Sequence, residues 1–289
     1  MTQFKEIVLF AEHIEEPRLE FGLRQKTDHP KDGLYLYGPR VPVPGSSPLR
    51  VGVIGTKNGL GYFRKWAAEL MAPIPVPPPG PRDKTDRLHL SPFPGLREAF
   101  GLILDTKSLK EAEIDSKELD DATLVVNHHE AVAKAVDVYV DRIKRHVQRE
   151  ESAIDVWIFV LPEPIFDRCR RNSRRQGLPL VKGNFVKRQS KKFVAPLFEG
   201  IIDNSEEDIF EDIPDFHRQV KAKLLGLNFT SQLIRETTLV PEQFRNKAGY
   251  PIRRMQDRAT IAWNFATSLY YKTQPQPPWK IADMRPSVP

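Results

Sequence analysis

Residues 50–72, RVGVIGTKNGLGYFRKWAAELMA, carry the pattern that decides the fold. The run 50–54 is compact and rich in β-branched residues, which is typical of a strand. A glycine-bounded turn, GTKNG at 55–59, follows it, and apolar residues then recur at helical spacing over 60–72. A strand, a tight turn and a helix in succession predict the opening unit of a parallel α/β sheet.

The alternation of strands and helices continues along the chain. The pattern predicts, in order, a strand at 122–126, a helix at 128–150, a strand at 155–161, a helix at 165–176, a helix at 216–225, a strand at 230–237 and a helix at 255–271. The strand at 155–161, DVWIFVL, is so apolar that both of its faces must be covered. This order favours a doubly wound, Rossmann-like parallel sheet flanked by helices.

The chain divides into three predicted parts. Residues 1–48 form an extended N-terminal segment, in which EPRLEFG and KDGLYLYGP alternate apolar and polar residues as strands do. Residues 49–250 form the α/β domain, with a stiff proline-rich connector at 73–81. Residues 251–289 form a junction helix and the start of a further domain.

Composition restricts the class of protein. The longest apolar run, 156–161, is far too short to span a membrane, and the N-terminus lacks a signal-peptide pattern. The single cysteine, Cys169, excludes an intramolecular disulfide and a cysteine-rich zinc site. These features favour a cytoplasmic protein.

The charge of the chain is concentrated in one block. Residues 168–192 hold ten Lys or Arg and no acid, whereas the whole chain has a net charge of +6, so the remainder sums to −4. Such a block predicts a surface that faces a polyanion. The alternative is a solvated, solubilising charged segment.

The motif most informative about function lies at 214–234, PDFHRQVKAKLLGLNFTSQLI. His217 and Lys221 are four residues apart, so they project from one face of the predicted helix. Gln232 lies on the following strand, and Lys272 lies on the last predicted helix. An imidazole can stack on a base while ammonium and amide groups bind a terminal phosphate. The alternative is that all four are ordinary surface residues.

Three sets of segments give the chain a resemblance to a known family. EPRLEFG at 16–22 and HPKDGLYLYGP at 29–39 resemble the opening of prokaryotic Argonautes. RVGVIGT at 50–56 leads into a tryptophan-bearing helix in the same way. HRQVKAKLLGLNFTSQLI at 217–234 and SLYYKTQPQPPWKIADMRP at 268–286 are similar to the end of the Argonaute MID domain and its crossing into PIWI.

The resemblance implies a role for each motif residue at the 5′ end of a guide strand. His217 stands where the family usually has a base-stacking tyrosine, and Lys221 and Lys272 stand where it has phosphate-binding lysines. Gln232 stands where the family has a glutamine on the next strand. Arg235 is an added contact. The resemblance leaves open whether Mg²⁺ also holds the guide 5′-phosphate; no protein metal ligand is expected.

The implied biology is that of the short prokaryotic Argonautes. Residues 49–250 would be the MID domain, and 251–289 the junction helix and start of a truncated PIWI domain. Such proteins use a small guide, RNA by expectation, to recognise invading DNA in prokaryotic defence. The chain has no place for the slicer carboxylates, so it is not expected to be an enzyme. The chemistry would reside in an effector protein with a PAZ-like module and a TIR, sirtuin-type or nuclease domain.

Two other functions remain open from the sequence. The 55–59 turn is a candidate phosphate site in an α/β enzyme that binds a nucleotide or sugar phosphate, although it lacks the spacing of known phosphate loops. The basic surface and the proline-rich connector are candidates for docking an acidic effector in a pure interaction subunit.

Overall fold

The computed structural model describes residues 16–43, 48–78, 90–149, 153–171, 173 and 214–282. Its elements, in chain order, are β1 (Leu19–Glu20), β2 (Lys26–Thr27), α1 (Pro30–Tyr37), β3 (Val51–Thr56), α2 (Lys57–Leu70), α3 (Leu96–Phe100), β4 (Lys110–Ile114), α4 (Ser116–Thr123), α5 (His128–Arg149), β5 (Val156–Leu161), α6 (Glu163–Arg168), α7 (Phe216–Gly226), β6 (Ser231–Arg235), α8 (Glu236–Leu239), α9 (Arg258–Thr273) and β7 (Lys280–Ile281). Short 3-10 turns lie at Gly22–Arg24 and Pro241–Gln243.

A four-stranded parallel sheet forms the centre of the fold. Its strand order is β4-β3-β5-β6. Val53 of β3 pairs with Ile158 of β5, and Ile158 pairs in turn with Gln232 of β6. The predicted Rossmann-like α/β class is therefore confirmed, and β6 lies at one edge of the sheet.

Helices cover both faces of this sheet. On one face, Phe63 and Trp66 of α2 pack against Phe265 of α9. Their ring centroids lie 6.3 and 6.4 Å, respectively, from the centroid of Phe265. On the other face, Tyr139 of α5 stacks on Phe159 at 5.5 Å between centroids. These two apolar layers explain why every residue of β3 and β5 is buried.

A close approach between β3 and β5 depends on glycine. A Cβ added at Gly52 would lie 2.5 Å from a ring atom of Trp157. The two residues are paired across the parallel ladder, so the indole lies over the space that a side chain on Gly52 would occupy. Only glycine lets this tryptophan remain fully buried at that point.

The predicted turn at 55–59 is wrong in detail. Strand β3 runs to Thr56, and α2 begins directly at Lys57. The reason is a helix cap: the Thr56 hydroxyl accepts a hydrogen bond from the Gly59 N–H at 3.2 Å. The segment is therefore the first turn of a helix.

The strand predicted at 122–126 is also wrong. Residues Ala122 and Thr123 belong to the end of α4, and the sheet's outer strand is Lys110–Ile114 instead. The sequence KEAEI has few apolar residues because an edge strand of the sheet is only partly covered, so its pattern gave no strand signal. Asp115 then caps α4 by accepting from the Lys117 N–H at 2.9 Å.

The N-terminal segment is less extended than predicted. KDGLYLY lies in helix α1, which Pro30 opens at a position where its missing N–H costs no hydrogen bond. Two short strands frame it: β1 pairs antiparallel with β2 and with β7. The described N-terminal residues are thereby joined to residues 279–281, and Phe21 lies 6.0 Å from Trp279 between ring centroids.

The predicted helix at 165–176 is shorter in the structure. Helix α6 ends at Arg168, and the fully buried Cys169 follows it. The carbonyl of Cys169 accepts a hydrogen bond from the Phe216 N–H at 2.9 Å. The residue that follows α6 is therefore bonded to the first residue of α7. Most of the basic block, from 174 onwards, and the acidic stretch 203–213 lie outside the described residues.

The remaining elements follow the predicted order with shifted ends. The long helix α5, the buried strand β5 and helix α7 are confirmed within their described residues. Strand β6 ends at Arg235 because the chain turns into α8, and α9 begins at Arg258 because Asp257 caps it. No helix among the described residues is long and apolar enough to cross a membrane.

Candidate functional site

Helix α7 presents His217 and Lys221 to one pocket. Asp215 caps the helix by accepting from the Arg218 N–H at 3.0 Å. The apolar stripe Phe216, Val220 and Leu224 is buried against the core. His217 and Lys221 each follow a buried residue by one position, which turns both side chains towards β6 rather than into the core.

Lys221 is held against the start of strand β6. Its Nζ donates to Ser231 O at 2.5 Å and to Ser231 Oγ at 2.8 Å. The ammonium carries three protons, so one donor is left to face the pocket. Burial lowers the pKa of Lys221 from its usual value.

Lys272 reaches the same pocket from the last turn of α9. Its Nζ donates a hydrogen bond to Gln232 Oε1. Burial, and then the charge of Lys221, lower the pKa of Lys272 from 10.5 to about 8. Burial favours the uncharged amine, and no described carboxylate pairs with Lys272 to oppose this effect. Lys221 and Lys272 are therefore two ammonium groups that repel each other across one space.

His217 lies at the partly exposed rim of the pocket. Burial and the charge of Lys221 lower the pKa of His217 below 6.5, while Asp215 opposes them. The lowered pKa favours the neutral form of the imidazole. A neutral, flat ring beside a cationic pocket is suited to stacking on a base.

Arg235 borders the pocket but is committed to another partner. Its Nε donates to Glu163 Oε1 at 3.2 Å, and its Nη2 donates to Glu163 Oε2. The guanidinium also lies over the ring of Phe166, 3.2 Å from the centroid, and Arg170 lies 4.1 Å from the same centroid. Arg235 is thus part of the pocket wall, and its fork is not free to clamp a phosphate.

The five predicted site residues come together around one pocket of about 460 Å³. It extends along the edge strand β6 and reaches the end of β5 at Leu161. Among the described residues, the cationic and imidazole side chains that line it are Arg170, His217, Lys221, Arg235 and Lys272, and the one acidic side chain is that of Asp215. The arrangement can hold an anion of more than one negative charge next to a flat, apolar ligand group.

Some residues of the site could not be named from the sequence alone. Glu163, Phe166 and Arg170 belong to α6 and its end, where the sequence predicts a helix at 165–176 and the start of the basic block but no site residue. A signal was present: Glu163 follows Pro162 directly after the buried strand β5, at the edge where ligands bind in open α/β sheets. Ser231, the anchor of Lys221, carried no signal.

The described residues around the pocket offer few metal ligands. They contain no group of three or more His, Cys, Asp or Glu side chains placed to hold a metal ion. In the pocket, the carboxylate of Asp215 already accepts the helix-cap hydrogen bond, and Gln232 Oε1 accepts from Lys272. Since Mg²⁺ takes oxygen ligands, usually carboxylates, this lining of cations favours an anion over Mg²⁺ alone.

Comparison with known proteins does not identify the chain. No protein-family model matches it, and no curated protein sequence is significantly similar to it.

Proposed function

We propose that this protein binds the 5′-phosphorylated end of a small guide strand, RNA by expectation, for recognition of invading DNA. Lys221 and Lys272 neutralise the phosphate, Gln232 hydrogen-bonds it, and His217 stacks on the first base. Any chemistry on the target belongs to a partner effector protein.

The observation that carries this proposal is that Lys221 and Lys272 line the same pocket. Their ammonium groups share one pocket, and the pKa of Lys272 has fallen to about 8. The free protein therefore holds positive charge at a cost that a bound anion would remove. A bound anion would relieve the repulsion between the two ammonium groups, and this relief contributes to the affinity for the anion.

The charge of the pocket matches a terminal phosphate better than an internal one. A terminal phosphate carries about −1.5 to −2 charges near neutral pH, whereas a phosphodiester carries one. Two lysines around one anion thus favour a phosphorylated end over a 5′-hydroxyl end. The apolar lining, with Leu161, Ile165 and Leu233, is suited to the flat face of the first nucleotide.

The alternative phosphate site at 55–59 is disfavoured by its surroundings. The Gly59 N–H already donates to Thr56 Oγ1, and the Thr56 hydroxyl donates to Glu236 Oε1 at 2.9 Å. Glu236 is buried beside this turn, and a Cβ on Gly59 would lie 2.9 Å from its Oε1. A phosphate at this turn would lie against the Glu236 carboxyl group, and the Gly59 N–H that could bind it already donates to Thr56.

A matched pair of lysine variants tests the proposal. Lys221→Gln removes the charge from the pocket, whereas Lys223→Gln removes the same charge from the exposed side of α7, where Lys223 pairs with Asp137. A charge-assisted hydrogen bond contributes about 1.5–3 kcal/mol, so Lys221→Gln is expected to reduce the 5′-phosphate preference about tenfold to hundredfold.

The measurement is competition between labelled 5′-phosphorylated and 5′-hydroxyl oligonucleotides of one sequence, with thermal melting as the folding control. Lys223→Gln should keep the preference of the wild type. Equal preferences in both variants and the wild type would remove the pocket assignment.

A further inference from the structure

The amine of Lys272 is a reactive group that the proposed function uses only as a charge. It lies on the last turn of α9, and its Nζ donates to the side-chain amide oxygen of Gln232. No described carboxylate pairs with it. An amide oxygen carries no full negative charge, so it stabilises the ammonium form of Lys272 less than a carboxylate would.

The second lysine of the pocket differs from Lys272 in its hydrogen bonds. Lys221 Nζ donates to both the carbonyl and the hydroxyl oxygen of Ser231, at 2.5 and 2.8 Å. Two acceptors favour the charged form of Lys221. Burial and the charge of Lys221 both act on Lys272, so Lys272 loses its proton before an ordinary lysine does.

Only an amine that has lost its proton can attack an electrophile. Because the pKa of Lys272 is about 8, about half of it is the uncharged amine at pH 8. A lysine with the usual pKa of 10.5 is uncharged in about one molecule in three hundred at that pH. Burial of a lysine beside another cation is a general way in which proteins produce a nucleophilic amine.

The lining of the pocket determines which electrophile can approach this amine. The pocket has a volume of about 460 Å³, and among its described lining residues Asp215 is the one acid. An electrophile that carries its own dianionic phosphate is therefore attracted to Lys221, beside Lys272. Small acyl phosphates meet this requirement, since their phosphate is both the anion that binds and the group that leaves.

We infer that Lys272 is a site of acylation by small acyl phosphates, whose phosphate is held at Lys221 while the Lys272 amine attacks the acyl carbon. In this step the nitrogen forms a bond to the acyl carbon, and the bond between that carbon and the phosphate oxygen breaks. The phosphate leaves with the electron pair of the broken bond and takes up the proton that the nitrogen loses. The products are an amide on Lys272 and hydrogen phosphate.

This modification goes beyond the proposed function, because it needs the two lysines and the pocket but no guide strand. Acylation removes the charge of Lys272, so the modified pocket has one ammonium group fewer for an anion. Its affinity for a terminal phosphate should fall by about tenfold or more. A bound phosphate, in turn, protects Lys272 from the acyl donor.

Site-resolved acetylation of the whole chain tests the inference. The protein is incubated with acetyl phosphate at pH 8, and peptide mass spectrometry measures the rate at each lysine, with the exposed Lys65 and Lys247 as references. Lys272 should be acetylated about tenfold faster than either reference or more, because its larger fraction of uncharged amine outweighs its lower basicity. Added inorganic phosphate should slow acetylation of Lys272 and leave the references unchanged.

A matched pair of variants and an uncharged donor separate the held phosphate from the reactive amine. Lys221→Gln should slow acetylation of Lys272 by about tenfold, whereas Lys223→Gln, which removes the same charge from the exposed side of α7, should keep the wild-type rate. The N-hydroxysuccinimide ester of acetic acid carries no phosphate, so with it the advantage of Lys272 over the references should shrink. Thermal melting checks that each variant is folded.

The outcomes separate this inference from the proposed function. Acetylation of Lys272 in the folded wild type that is no faster than that of Lys65 and Lys247 overturns the inference. A rate at Lys272 that neither inorganic phosphate nor Lys221→Gln changes also overturns it, because the donor is then not held through its phosphate. Phosphate-sensitive acetylation of Lys272 in a protein without any 5′-phosphate preference for oligonucleotides would remove the proposed function and leave this inference standing.

Discussion

Lys272 donates a hydrogen bond to Gln232 Oε1, and this contact joins the last turn of α9 to the edge strand β6. The amide Nε2 of Gln232 points the other way and donates to Leu233 O at 3.3 Å. The glutamine oxygen therefore gives the lysine its acceptor in the free protein. A phosphate would replace that acceptor, and the Gln232 amide would then turn to donate its own N–H groups.

Gln232→Glu is expected to mimic the bound anion. A carboxylate at this position would raise the pKa of Lys272 from about 8 towards 10.5, because it supplies the missing negative charge. The variant should melt at or above the temperature of the wild type and lose 5′-phosphate preference by about tenfold or more. NMR titration of the lysine Nζ and oligonucleotide competition measure the two effects. Gln219→Glu on α7 is the control, and a retained preference in Gln232→Glu would contradict the account.

The pH dependence of binding should follow Lys272. Its folded pKa, about 8, is below the usual 10.5, so the unfolded state keeps the proton longer and the stability of the free protein rises as pH increases between those values. Phosphate binding needs the protonated ammonium, so the 5′-phosphate preference should fall as pH rises through 8. Lys272→Arg, which stays charged, should flatten this fall. An equal fall in both proteins would assign the titration to another group.

His217 should act through its ring and not through its charge. Its lowered pKa favours the neutral ring, and stacking of a base on an aromatic ring contributes about 1–3 kcal/mol. His217→Tyr should therefore retain binding, and His217→Ala should lower the affinity by about fivefold to hundredfold. Quenching of a 2-aminopurine placed as the first base reports the stack directly. Equal quenching in the alanine variant would place the base elsewhere.

Arg235 should matter for stability more than for phosphate preference. Its pairing with Glu163 is largely buried, with 14% and 18% of the two side chains exposed. Removing one partner of a fully buried pair costs roughly 3–5 kcal/mol. Because this pair retains some exposure, Arg235→Met should lower the free energy of unfolding by a smaller amount, about 2–4 kcal/mol. The ratio of 5′-phosphate to 5′-hydroxyl affinity should stay near that of the wild type. Denaturant unfolding and competition binding check both statements, and a lost ratio in a folded variant would make Arg235 a direct ligand.

Two glycines offer a matched test of the sheet. Gly52→Ala would force a Cβ within 2.5 Å of the Trp157 ring, whereas a Cβ at Gly61 in α2 meets no atom within 4 Å. Overpacking costs about 1–3 kcal/mol, and replacing glycine by alanine inside a helix gains up to about 1 kcal/mol. Chemical denaturation should therefore show Gly52→Ala less stable and Gly61→Ala more stable than the wild type. The reverse order would contradict the β3–β5 register.

The parts of the fold that could be predicted are those with strong local patterns. β5 is a continuous apolar run, and α5 and α7 repeat apolar residues at helical spacing, so burial alone reveals them. β4 is different, because KEAEI is an edge strand whose partners, not its own residues, make it a strand. The alternation of LYLY predicts a strand, whereas the structure has helix α1 there, and the proline at its start is the stronger signal.

The candidate site shows the same division. His217 and Lys221 share a helix face by spacing, so their proximity follows from sequence. Glu163, Phe166 and Arg170 enter through the short helix α6 and its end, and only the tertiary fold brings them beside β6. Pairing of Arg235 with Glu163 likewise depends on two elements far apart in the chain. Such contacts have no local periodicity that a sequence pattern could reveal.

The most direct test is a titration of the wild-type protein with four short oligonucleotides of one sequence, RNA and DNA, each with a 5′-phosphate or a 5′-hydroxyl, in Mg²⁺ and in EDTA. The account predicts that the 5′-phosphate strengthens binding by about tenfold or more, in EDTA as well, since two lysines supply the charge. The sugar that binds better would identify the guide. Equal affinity for phosphorylated and unphosphorylated strands would contradict the central claim.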